Sequence, residues 1–155
     1  MNPAAQIAVI AALSLAAAGG TYLVKGPPSR LVQCDPASLK PDEVCLQQIP
    51  AGAEILWVDA RKRTDWEKTG VPGSLLWNLD ANEDMQAFEA SVAMKVAMAP
   101  SSWVVVYCYD ESCGISRQVA ERIRGLDLGV KVSVLHGGWR ALSEAGKVKG
   151  SSPKT

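Results

Sequence analysis

Apolar and polar positions divide the chain into a long leading run and a series of shorter segments. Across residues 3–24 only Gln6, Ser14 and Thr21 are clearly polar, and no charged side chain precedes Lys25. That length is close to the roughly 20 apolar residues a helix needs to cross the hydrocarbon layer. Tyr22 falls where an interfacial aromatic is expected, and Lys25 closes the span. Two readings compete with a retained anchor. A cleaved secretory signal would use 7–18 as its apolar core and the Ala16-Ala17-Ala18 run as a small-residue cleavage site, although Met1-Asn2-Pro3 lacks the usual positive charge. A buried helix is the third. Residues 1–25 are therefore expected to be a transmembrane or signal-anchor segment, 26–38 a linker containing Gly26-Pro27-Pro28-Ser29, 39–147 the folded domain and 148–155 a polar tail.

Within the domain, Pro41 followed by Asp42 and Glu43 suits a helix start and predicts a helix over 41–49. Residues 54–59 read as a buried strand, and 74–78 as a shorter one after the Val71-Pro72-Gly73 turn. Met85, Phe88, Val92 and Val96 recur at three- and four-residue steps, which predicts a helix over 83–97 with one buried stripe. Residues 103–108 are continuously apolar, as in a strand covered on both faces. A helix is expected over 115–124, with Ile115, Val119 and Ile123 on its inner face, then a strand over 131–135 and a helix over 139–145. Strands alternating with helices imply an α/β layered fold with mostly parallel strands.

Composition narrows the function classes. A chain of 155 residues fits one domain beyond the apolar run. Sixteen basic residues balance sixteen acidic ones, so net charge offers nothing to nucleic acid. Four cysteines are too few for a disulfide scaffold. Lys25 and Arg30 favour a cytoplasmic flank, whereas a signal-like reading sends the domain outward, so the side of the membrane stays open.

The candidate chemistry centres on Cys108. It ends the strongest strand, and Tyr109, Asp110, Glu111, Ser112, Cys113 and Gly114 form a short loop into the helix at Ile115. Ligands of an open parallel sheet bind beyond the strands' carboxyl ends. Loop amides and a helix N-terminus there favour a thiolate, the reactive form. The plain alternative is a buried core cysteine.

The segment carrying Cys108 also resembles a known family. Val58-Asp59-Ala60-Arg61, Gly70-Val71-Pro72-Gly73-Ser74, Val105-Val106-Tyr107-Cys108 with Ser116, and Leu135-His136-Gly137-Gly138-Trp139 resemble, in order, four motifs of the rhodanese-like (sulfurtransferase) domains. The resemblance covers roughly 39–146. It implies a five-stranded parallel sheet between helices, with Cys108 accepting a sulfane sulfur as a persulfide and passing it to a nucleophile. No cofactor and no metal is implied.

Several departures from the family pattern stand out. The loop is about two residues longer than usual before Ser116, by judgement of loop lengths. It carries Asp110 and Glu111 where thiosulfate-using members often place basic residues, and two carboxylates should repel an anionic donor and raise the thiol pKa. It also contains Cys113, and the turn lacks the family's His because Gly70 is followed directly by Val71. A phosphatase of related fold would need an Arg six residues after the cysteine. That position is Gly114, and the nearest Arg is Arg117.

Other residues keep two readings. Cys113 could resolve a persulfide or sulfenate on Cys108, carry the persulfide itself, or face the core. Cys34 and Cys45 could pair in an oxidising compartment, or Cys45 could simply pack. Neither spacing suits zinc. Asp59 and Arg61 are expected to brace the strand end as a pair, with Arg117 in support. His136 could face the pocket or sit satisfied at an edge, and the tryptophans read as packing.

The expectation is a single-pass, membrane-anchored sulfurtransferase taking sulfur from a small donor to a thiol or protein acceptor. It would be secreted or periplasmic if the leader is cleaved. The alternatives are a Cys108/Cys113 thiol–disulfide redox protein and a catalytically silent rhodanese-like module that binds a partner near the membrane.

Overall fold

The computed structural model describes residues 32–110 and 112–150, together with positions 3, 6, 7, 10 and 14, which are helical. The expected anchor at 3–24 lies outside the described residues except at those positions. Among the described residues no helix is long and apolar enough to cross a membrane. Two compact units divide the chain, Met1–Leu31 and Val32–Thr155, and the second contains the whole sheet.

Five strands, β1 (Glu43–Val44), β2 (Ile55–Asp59), β3 (Leu75–Leu76), β4 (Trp103–Tyr107) and β5 (Val132–Leu135), form one sheet in the order β1-β5-β4-β2-β3. Every pairing is parallel. The helices are α1 (Arg63–Thr69), α2 (Met85–Met98), α3 (Ile115–Gly125) and α4 (Gly138–Glu144). The α/β fold expected from alternating strands and helices is therefore present.

Central β4 explains its own sequence. Val104, Val105 and Val106 have no exposed surface, and burying each contributes about 1.5–3 kcal/mol. Alternation then sorts the two faces. Val104, Val106 and Cys108 join α2 and α3 through Phe88, Val92, Val96, Val119 and Ile123. Val105 and Tyr107 join Leu142 of α4, with Val71 and Val148, on the other face. Cys108 thus points to the α3 side, one residue past the strand's end.

Several expectations are corrected. No helix spans 41–49. Asp42 takes a positive φ of 65°, which turns the chain so that Glu43 and Val44 pair with Val134 and Leu135 as an edge strand. A single 3₁₀ turn, Leu46–Gln48, follows, with Gln48 Oε1 accepting the Cys45 N–H. The strand expected over 74–78 is only Leu75–Leu76. Helix α1 was not expected: none of its residues is buried, so it carries no apolar stripe to read. Ile115 lies on the exposed side of α3, while Val119 and Ile123 are buried as expected. The domain's packing continues past 147, since Val148 is buried and Lys149 donates its backbone N–H to Gly70.

The junction of β4 with α4 positions everything beyond Cys108. Gly138 has φ 51°, and a Cβ there would lie 2.6 Å from the Cys108 carbonyl oxygen and 3.0 Å from the Asp110 nitrogen. Only glycine permits that approach. The neighbouring amides use it: Trp139 N–H donates to Cys108 O at 2.6 Å and Arg140 N–H to Tyr109 O at 3.2 Å. Gly138→Ala is expected to destabilise the domain by about 2 kcal/mol or more, from the left-handed backbone and the clash. Gly125, at the end of α3 with open space around it, provides the contrast. Gly125→Ala should be neutral or stabilising by about 0.5–1 kcal/mol. Urea midpoints of the two variants check the pair, and equal midpoints would contradict it.

Candidate active site

The loop leaving β4 is shaped by Asp110. Its carboxylate accepts the Ser112 backbone N–H at 2.9 Å and the Ser112 hydroxyl at 2.6 Å, and its carbonyl accepts the Cys113 N–H at 3.4 Å. These bonds close a tight turn, a role Asp side chains fill by bonding the backbone two residues on. The hydroxyl and then the amide of Ser112 hold the Asp110 carboxyl below its usual range. Its charge is thus engaged within the loop. Glu111 lies outside the described residues.

The turn brings Cys113 back over the strand end. Cys108 and Cys113 are joined by a disulfide with their Cα atoms 6.1 Å apart, inside the span a disulfide bridges. The sequence led us to expect a free thiolate at Cys108; both loop sulfurs are instead bonded to each other. The enlarged loop supplies the length for this return. Ser116, buried in the first turn of α3, donates its hydroxyl to the Cys113 carbonyl at 3.1 Å and fixes the loop's far end. Gly114 precedes the helix with open space around it.

The two sulfurs differ in access. Cys108 is 1% exposed. Cys113 is half-buried and lines a polar cavity of about 60 Å³ with Lys40, Glu43, Asp110, Arg117 and His136. Arg117 donates to Glu43 Oε1 at 2.7 Å and to the Pro41 carbonyl at 3.3 Å, tying α3 to edge strand β1. His136 faces this cavity. Its Nδ1 lies 3.7 Å from Glu43 Oε2, with no hydrogen bond to it. Glu43 and Lys40 escaped the sequence reading because β1 was taken for a helix.

On the loop's other side, Tyr109 donates its hydroxyl to Asp65 Oδ2 at 2.5 Å. That bond, aided by burial, pushes the phenol above its ordinary range. Tyr109 and Ile115 flank a more apolar cavity of about 230 Å³ with Arg61, Asn78 and Leu79.

Asp59 and Arg61 brace the site as expected. Arg61 Nε and Nη2 donate to the two Asp59 carboxylate oxygens at 3.0 and 2.8 Å, with side chains 2% and 0% exposed. The guanidinium also reaches Thr69 Oγ1 at 3.2 Å and lies 5.1 Å from the Trp139 ring centre and 5.8 Å from those of Tyr107 and Tyr109. Burial alone would lower its pKa, but Asp59 outweighs that and raises it. With its donors committed to carboxylate, hydroxyl and rings, Arg61 holds the loop's base.

Away from the loop, a second disulfide joins Cys34 to Cys45, with Cα atoms 5.7 Å apart. Val32 N–H donates to Glu144 Oε2 at 2.5 Å, so the chain ahead of β1 is held against α4. No group of acidic, His and Cys residues able to hold a metal occurs among the described residues.

Removing either half of the buried ion pair leaves an uncompensated charge. Asp59→Ala or Arg61→Ala should therefore destabilise the domain by about 3–5 kcal/mol. A loss below about 1 kcal/mol in urea unfolding would show that the pair does not carry the loop.

No curated protein matches the chain. Among solved structures, the crystal structure of the BH2092 protein from Bacillus halodurans is similar, at 21% identity and a TM-score of 0.44, over 63% of this chain. The chain spans 64% of that protein's length. The model of the rhodanese-like domain matches residues 43–145, from β1 to just past α4. That stretch holds all five strands and the whole loop, and the chain belongs to the rhodanese-like domain family.

Proposed function

We propose that the protein is a sulfurtransferase in which Cys108 takes up a sulfane sulfur as a persulfide and delivers it to a thiol or other nucleophilic acceptor. The observation that carries this reading is the sulfur of Cys108 itself. It stands at the carboxyl end of the central strand of a rhodanese-like domain, and it is already engaged in sulfur–sulfur bonding with the loop beyond it. Reduction frees Cys108 at the end of β4, where the loop into α3 begins.

Thiosulfate is a poor candidate donor. Arg61 and Arg117 are committed to Asp59 and Glu43, and Asp110 keeps its negative charge in the loop. Neutral or long-chain sulfane-sulfur carriers meet less repulsion. A second reading, a thiol–disulfide redox protein, is favoured by the Cys108–Cys113 bond. It predicts reversible closure of that bond without sulfur uptake.

The Cys34–Cys45 disulfide supports a domain that faces an oxidising compartment, since such bonds persist there. Residues 3–24 supply the membrane anchor of the proposal, with the domain on the outer side. A cleaved leader would release it as a secreted or periplasmic protein.

Two measurements test these readings. The reduced protein is incubated with a polysulfide donor and weighed intact. Sulfur taken up through Cys108, whether retained as added mass or passed on as sulfide, and abolished in Cys108→Ser, is the expected result, and undiminished uptake in Cys108→Ser overturns the assignment. Deleting residues 3–24 should move the protein from the membrane pellet to the soluble fraction. An unchanged pellet would remove the anchor.

A further inference from the structure

The loop's two sulfurs point to a particular fate for the transferred atom. We propose that Cys113 is a resolving thiol, so that the site releases its sulfane sulfur as hydrosulfide and closes as the Cys108–Cys113 disulfide. The activity is then dithiol-dependent persulfide reduction. It rests on the reading of Cys108 as the persulfide-bearing residue and extends it to the fate of the bound sulfur.

Three features support it. Cys113 reaches Cys108 without any change of fold, because the two sulfurs bond in the folded domain with Cα atoms 6.1 Å apart. The approach is built in by the Asp110 turn and by the Ser116 hydroxyl on the Cys113 carbonyl. The sulfurs are also unequal, Cys108 being 1% exposed while Cys113 opens on the polar cavity beside Lys40, Arg117 and His136.

Two successive exchanges make up the reductive half of the cycle. The Cys108 thiolate attacks the terminal sulfur of a donor R–S–SH; the donor's S–S bond breaks and RS⁻ leaves, giving Cys108–S–SH. The Cys113 thiolate then attacks Cys108 Sγ. A bond forms between the two Sγ atoms, the bond to the outer sulfur breaks, and its electron pair departs with HS⁻. The two cysteines are oxidised by two electrons, and the sulfane sulfur is reduced by two.

A dithiol reductant resets the site. Its first thiolate attacks Cys113 Sγ, the sulfur reached from the cavity, because exchange depends on access. Cys108 leaves as a thiolate. The reductant's second thiol displaces Cys113 and leaves as a disulfide. The sum is R–S–SH plus dithiol giving RSH, hydrogen sulfide and the oxidised dithiol.

The test uses reduced protein freed of reductant and one equivalent of inorganic polysulfide, read by sulfide release, intact mass and peptide mapping. Wild type should release a burst of about one sulfide per protein and gain a Cys108–Cys113 disulfide, losing two hydrogens. Cys113→Ser, and independently Cys113→Ala, should keep the added sulfur on Cys108 and release sulfide at least about tenfold more slowly. Wild type that retains the sulfur and releases sulfide no faster than these variants overturns the resolving role while leaving the sulfurtransferase reading intact. Failure of both wild type and variants to take up sulfur overturns that reading, and this inference with it.

Discussion

The structure depends on one close approach, the backbone of Gly138 against the carbonyl of Cys108. The central strand ends there, and a side chain at Gly138 would clash with the Cys108 oxygen, 2.6 Å from its Cβ. Glycine lets α4 start directly against the end of β4. The Trp139 and Arg140 amides then bind the carbonyls of Cys108 and Tyr109. Those bonds fix how the chain leaves the strand. Cys108 goes to the α3 face, Tyr109 to Asp65 and Arg61, and Asp110 into the turn that returns Cys113.

Below that junction lies a polar brace. A guanidinium and a carboxylate removed from water are costly unless each is fully matched, and Asp59 and Arg61 match each other bidentately, with aromatic rings around the cation. The same cation sits near Tyr109, so the loop's base is both anchored and electrically occupied. Arg117 is likewise held by Glu43 at the opposite rim. Both arginines beside the loop are therefore committed to carboxylates. Under the proposed sulfur transfer, that disfavours capture of a strongly anionic donor.

Much of this was legible in the sequence where burial imposes a period. The continuous apolar run of β4, the Phe88, Val92 and Val96 stripe of α2 and the Val119 and Ile123 face of α3 each announce their elements. Legibility failed where an element is short or unburied. The two residues of β1 form too short a pattern, and Pro41-Asp42-Glu43 imitated a helix start until the positive φ of Asp42 turned the chain. Helix α1 has no fully buried residue, and only Trp66 packs against the core. In the site, the position of Cys108 and the bracing pair could be read from the motifs. The bond to Cys113 could be read only as one alternative among several, because loop length gives only reach. What closes the distance is the Asp110 carboxylate on Ser112, an interaction whose acidic partner reads in sequence as a charge facing solvent.

Peptide mapping of the folded protein, alkylated without prior reduction after mild oxidation, tests the central arrangement most directly. The account predicts one linked peptide pair joining Cys108 to Cys113 and a separate pair joining Cys34 to Cys45. Alkylation of both loop cysteines, or either of them linked to Cys34 or Cys45, would contradict it.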